Sequence, residues 1–115
     1  MIRHLGAHTD VEGLVADARE EGREVHVVHA GPTKEATLAA FADTLDFPAW
    51  FGGNLDALAD CLRHLARTVD GDWELVVDGV AELAREDPFA FAGLSGLLGE
   101  VALSHPRFHI TVVER

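Results

Sequence analysis

The sequence predicts an α/β fold with a mostly parallel sheet. Three apolar segments rich in β-branched residues, at residues 24–30, 73–78 and 108–113, have the length and composition of buried strands. Stretches with helical spacing of apolar residues lie between them, and this alternation is typical of parallel α/β sheets. With 115 residues, the chain is long enough to form a single domain with its own core.

The first two helices have recognisable ends. Thr9 and Glu12 have the spacing of a capping box, and Gly22 suits the end of the helix that follows. Thr33 is a good cap for the second helix. The predicted core face of that second helix consists of Leu38, Phe41, Ala42 and Leu45.

The last helix is predicted to begin at Asp87-Pro88, a cap followed by proline at the first helical position. It contains Gly93, Gly96 and Gly99, and each interior glycine costs about 1 kcal/mol relative to alanine. The sequence leaves two interpretations open. Either the glycines allow the helix to pack closely on the sheet, or the helix is frayed.

Charge and composition restrict the partners. Twenty acidic and nine basic residues give a formal net charge of −11, which repels nucleic acid and anionic membranes and attracts cationic proteins. No apolar run reaches the roughly 18 residues of a membrane span, and the N-terminus lacks the apolar region of a signal peptide. We therefore expect a cytoplasmic protein without direct nucleic-acid or membrane contact. On charge alone, an acidic surface that only maintains solubility is the alternative.

A loop that leads into a helix carries the most information. Pro48 disfavours helix at the residue before it, so the second helix should end there. Gly52 and Gly53 allow a sharp turn, and Asn54 is a favourable N-cap. A new helix is therefore predicted from about residue 54.

This helix should have one apolar and one acidic face. Leu55, Leu58 and Leu62 recur at spacings of three and four, whereas Asp56 and Asp60 are one turn apart on another side. The structural interpretation is that Asp56 stabilises the helix N-terminus and Asp60 is a solvated surface residue.

The neighbouring aromatic residues favour a binding function instead. Trp50 and Phe51 directly precede the paired glycines in the sequence, and two large aromatic side chains are unusual in a loop with a purely structural role. An aromatic anchor next to carboxylates is typical of the centre of an interface with an arginine- and lysine-rich partner.

The segment Gly52-x-Asn54-Leu55-Asp56-Ala57-Leu58-x-Asp60-Cys61-Leu62, preceded by Pro48 and an aromatic pair, resembles the binding loop and helix of the barstar family. The resemblance implies an intracellular inhibitor of barnase-type ribonucleases, built on a three-stranded parallel sheet packed with helices. It extends weakly over residues 25–115, the expected core of a single domain spanning 1–115. Residues 1–24 are predicted to be an extension with an added helix, and the sequence leaves open whether a short strand precedes it.

The resemblance also implies a set of partner-binding residues. Asp56 and Asp60 stand where the family has two aspartates that enter the cationic active site of the enzyme, and Asp60 corresponds to the more important one. Trp50 stands at a stacking aromatic, and Ala59 replaces a tryptophan of the family. The full set is Trp50, Phe51, Gly52, Asn54, Asp56, Ala59, Asp60 and Glu100, of which Glu100 is the nearest counterpart of an acid on the family's last helix.

Other chemistries have little support. The seven histidines show no recognised zinc spacing, and Cys61 has only His64 as a nearby catalytic candidate. We expect no metal, no cofactor and no enzymatic activity, and a free protein that is monomeric. The expected partner is a cationic extracellular ribonuclease. Two alternatives remain, an immunity protein against another toxin class, such as a deoxyribonuclease, and a regulatory protein-binding module.

Overall fold

Strands and helices alternate along the chain in a computed structural model that describes residues 1–48 and 51–115. The strands are β1 (Ile2–Leu5), β2 (Glu24–His29), β3 (Trp73–Asp78) and β4 (Phe108–Val113). The helices are α1 (Val11–Glu20), α2 (Lys34–Leu45), α3 (Leu55–Thr68), α4 (Ala81–Glu86) and α5 (Pro88–Ser104). The three predicted strands are thus present, and two of them have the predicted bounds.

The sheet is fully parallel, with the strand order β1-β4-β3-β2. The prediction of three strands was wrong, because β1 adds a fourth at one edge and pairs with β4, with Ile2 opposite Ile110. A strand of four residues with two polar ones in the middle has no clear period of two. Its pairing depends on a segment at the other end of the chain.

The caps agree with the sequence except at α1. The N-cap of α1 is Asp10, whose side chain accepts a hydrogen bond from Gly13 N, whereas the Thr9 hydroxyl donates to Gly6 O instead. Gly22 lies just beyond the helix with φ +86°, a conformation that glycine adopts without steric cost. Carboxylate and hydroxyl compete for the same backbone amides, and here the carboxylate caps the helix.

The caps of α2 and α5 are those predicted. Thr33 accepts a hydrogen bond from Ala36 N at 3.0 Å, and Asp87 accepts one from Ala90 N at 3.0 Å. Pro88 occupies the first turn of α5, where its missing N–H costs no helical hydrogen bond.

The main core lies between one face of the sheet and the helices α2, α3 and α5. Its largest buried side chains include Phe41, Leu58, Leu62, Leu75, Leu98 and Ile110. Because two leucines of α3 are completely buried here, the orientation of that helix is determined by the core. The opposite side of α3 is left for the surface.

The other face of the sheet carries buried charges beneath α1. Glu74, which is 1% exposed, accepts hydrogen bonds from Arg23 at 3.1 Å and from the Thr111 hydroxyl at 3.3 Å. Asp78 accepts two from Arg115, at 2.8 and 2.9 Å, and this pairing holds the pKa of its carboxyl below the usual range. Both acids of β3 are therefore compensated within the fold, and neither is available to a partner.

Candidate functional site

The described part of the loop before α3 ends in a helix cap. Phe51 N donates a hydrogen bond to Pro48 O at 2.9 Å, and Gly53 has φ +67°. Asn54 then accepts a hydrogen bond from Ala57 N at 2.8 Å and begins α3 as predicted. The cap fixes where the helix begins, and the buried leucines Leu58 and Leu62 determine which residues of its first two turns face solvent.

α3 presents the two aspartates to solvent, as the leucine spacing predicted. Leu58 and Leu62 are fully buried, whereas Asp56 and Asp60 are exposed, and the side chain of Asp60 is 74% exposed. The two carboxylates lie one helical turn apart, on the side that adjoins α5. This arrangement leaves both acids accessible to an incoming group.

Glu100 joins these aspartates across an open groove between α3 and α5. The groove has a volume of about 630 Å³ and is lined, among others, by Asp56, Ala59, Asp60, Arg63, Gly96 and Glu100. The side chain of Glu100 is 74% exposed. Three carboxylates from two helices are therefore brought to one surface, although Glu100 is 40 positions beyond Asp60 in the sequence.

Small residues keep this groove open. Ala59 is 7% exposed, so its side chain is part of the groove floor and offers little contact area itself. A Cβ on Gly93 would lie 3.0 Å from Leu55 Cδ1, whereas one on Gly96 or Gly99 would meet nothing within 4 Å. Both sequence interpretations of the α5 glycines were wrong: α5 is a continuous helix, and the close packing at Gly93 is against α3.

Arg63 is a charged groove residue that sequence reasoning missed. Its guanidinium nitrogens lie 3.5 Å from Asp60 Oδ1 and 3.7 Å from Glu100 Oε2, so it bridges α3 and α5. The spacing of three residues after Asp60 is a signal that could have placed it on the acidic side of the helix. No signal in the sequence indicated that Arg63 also pairs with Glu100.

The remaining predicted residues differ in their availability. Gly52 and Asn54 are exposed, whereas Phe51 is half-buried and its ring lies 5.1 Å from that of Phe47, centroid to centroid. Phe51 therefore packs against Phe47 and the main core, which leaves only part of its ring to a partner. Trp50, the predicted aromatic anchor, lies outside the described residues.

Cys61 is buried at 4% exposure, as expected for a core residue beside Leu62. Burial, and to a lesser degree the charge of Asp60, raises the pKa of its thiol, which disfavours the reactive thiolate. In the part of the chain that the structure describes, no group of three or more histidine, cysteine or acidic side chains is arranged to hold a metal ion. Across those residues, no helix combines the length and apolarity needed to cross a bilayer.

Fold and site together define an acidic α/β protein that displays carboxylates on a capped helix and on the helix beside it. The sequence model of the family described as Barstar (barnase inhibitor) matches residues 23–113. The chain belongs to this family, which the motif in the loop and α3 had indicated. A comparison with curated proteins found no match. The matched region begins after α1, so β1 and α1 precede it, and it contains all the residues of the groove.

Proposed function

We propose that the protein inhibits a cationic, extracellular barnase-type ribonuclease by occupying its active site. The observation that carries this proposal is the convergence of Asp56, Asp60 and Glu100 on one exposed surface of α3 and α5. A ribonuclease binds RNA phosphates with cationic side chains. Carboxylates can take the place of those phosphates, and inhibition then needs no chemical step in either protein.

The electrostatics support association with such an enzyme. The formal charge of −11 creates a field that attracts a cationic partner and increases the association rate at low salt. The buried acids Glu74 and Asp78 are neutralised by Arg23 and Arg115. The groove carboxylates carry their charge at the surface, where a partner can meet it.

The setting of this function is part of the proposal. The inhibitor acts in the cytoplasm, where it protects the cell that makes a ribonuclease for export, and it is monomeric until it binds. By its match to the stacking aromatic of the family, Trp50 supplies apolar contact where a base would stack on the enzyme. Asn54 and Gly52 contribute to the same surface.

Alanine substitutions in α3 test the proposal, with inhibition of RNA cleavage by barnase as the assay. Asp60→Ala should weaken inhibition more than Asp56→Ala. Removing a carboxylate leaves buried partner cations unpaired, which costs about 2–5 kcal/mol, a reported range that draws on barnase complexes themselves. Asp43→Ala, which removes an exposed acid in the last turn of α2, is the matched control and should change inhibition little.

Asp60→Ala should leave folding unaffected, because an exposed Asp→Ala change in the middle of a helix gains helix propensity. Circular dichroism checks this. Trp50→Ala should also weaken binding, since a central aromatic fills a pocket of the partner. The proposed mode of binding is wrong if Asp60→Ala inhibits barnase as well as the parent does. If the parent inhibits no barnase-type ribonuclease, the proposal itself fails, and a toxin of another class or a regulatory partner becomes the target to seek.

A further inference from the structure

The groove already contains a cation from the protein itself. Arg63 lines the groove with Asp60 and Glu100 and lies within 3.5 and 3.7 Å of their carboxylate oxygens. Its side chain is 39% exposed, against 74% for each of the two acids. The arginine is therefore less accessible than the carboxylates, and a partner would contact the acids more readily.

These contacts hold Arg63 only weakly. Both distances exceed the 2.7–3.2 Å of a normal N–H···O hydrogen bond, so the bridge is an ion pair without direct hydrogen bonds. Exposed ion pairs of this kind contribute little to stability. The position of Arg63 is thus not explained by a large structural contribution.

The charge of Arg63 should influence the binding of a cationic partner more than it influences the stability of the fold. A lysine or arginine of the partner that pairs with Asp60 from outside would lie about 7 Å from the Arg63 guanidinium, and like charges at an interface are repelled more strongly as water is excluded. The two cations would also share the same carboxylates. Arg63 therefore opposes the contact that the acids favour.

We propose that Arg63 is an intramolecular competitor for the partner's cations and thereby a determinant of partner selectivity. It weakens binding to any protein that places a cation between Asp60 and Glu100. It has less effect on a partner whose cations reach only the Asp56 end of the groove. This inference deepens the proposed function and rests on it for the identity of the partner as a cationic ribonuclease.

Arg63→Gln tests the role, because it removes the charge and keeps a polar side chain of moderate length. Against barnase, the dissociation constant should fall by roughly threefold to tenfold, as expected when a like charge about 7 Å away is removed at a partly hydrated interface. The gain should appear mainly as slower dissociation. Arg63→Lys retains the charge and should stay close to the parent.

Arg67→Gln is the matched control for net charge. Arg67 is exposed one turn further along α3, outside the residues that line the groove, and its replacement changes the formal charge by the same amount. It should alter the association rate slightly and leave dissociation unchanged. A gain in affinity for Arg67→Gln equal to that of Arg63→Gln would overturn the proposal, since steering by net charge would then explain both.

A second measurement does not depend on the ribonuclease. Hexa-arginine is titrated into the parent and into Arg63→Gln, with the amide signals of α3 and α5 followed by NMR. The variant should bind the peptide more tightly, with the largest shifts around Asp60 and Glu100. Equal or weaker binding by the variant, to the peptide or to barnase, overturns the role of Arg63. A parent that binds hexa-arginine in the groove but does not inhibit barnase would count against the proposed function alone.

Discussion

The buried pair of Arg23 and Glu74 should be among the most sensitive points of the fold. Arg23→Met removes the guanidinium that donates to Glu74 Oε1 at 3.1 Å. Among the described residues, the carboxylate then keeps only the hydrogen bond from the Thr111 hydroxyl at 3.3 Å. Glu74 itself is 1% exposed in the middle of the sheet. The variant would therefore contain a buried carboxylate without the cation that pairs with it directly.

The size of the effect follows from the surroundings of the pair. Breaking a buried ion pair by removing one partner costs about 3–5 kcal/mol. The Arg23 side chain is 24% exposed and borders a polar cavity of about 230 Å³, so water can partly replace it. We therefore expect a loss near the lower end, about 3 kcal/mol in the free energy of unfolding.

Urea denaturation measures this loss. With a slope near 1.5 kcal/mol/M, the midpoint should fall by about 2 M. Arg85→Met is the matched control, because Arg85 pairs with Glu86 at 3.3 Å while both side chains are more than 60% exposed. That control should lose no more than about 0.5 kcal/mol.

A double variant separates the missing counter-ion from the lost packing of the arginine stem. Arg23→Met combined with Glu74→Leu removes both charges and should recover at least half of the loss. The reasoning is refuted if Arg23→Met costs no more than Arg85→Met. It is also refuted if the double variant is less stable than Arg23→Met alone.

Two further properties can be measured directly. Arg115→Ala should destabilise the protein at neutral pH, and the difference from the parent should shrink as the pH falls below about 3.9, the ordinary pKa of an aspartate. The hydrogen bonds from Arg115 lower the pKa of Asp78 in the folded state. Their contribution to stability is therefore fully present above the pKa of the unfolded state and is lost as the pH falls through the pKa of the folded state. A stability difference between variant and parent that stays constant down to about pH 2 would contradict this. Cys61 should react with a thiol reagent about tenfold or more slowly in the native protein than in denaturant, because burial limits access and raises the pKa of the thiol. Equal rates in the two states would show that the α3 core is open.

Local sequence signals were sufficient for the parts of the fold that depend on neighbouring residues. The cap at Asn54 and the spacing of Leu58 and Leu62 predicted where α3 begins and that Asp56 and Asp60 are exposed. Likewise, β3 and β4 were recognisable because buried parallel strands have continuous apolar runs. In each case the determining interactions lie within a few turns of helix or within one strand.

The same signals were insufficient where two distant segments meet. β1 becomes a strand only through pairing with β4, and the packing of Gly93 depends on Leu55 of another helix. The bridge from Arg63 to Glu100 likewise joins two helices. Composition and periodicity describe one segment at a time, whereas these contacts depend on how helices and strands pack together. The sequence therefore determined which acids α3 displays, and the tertiary structure decided which residues share the groove with them.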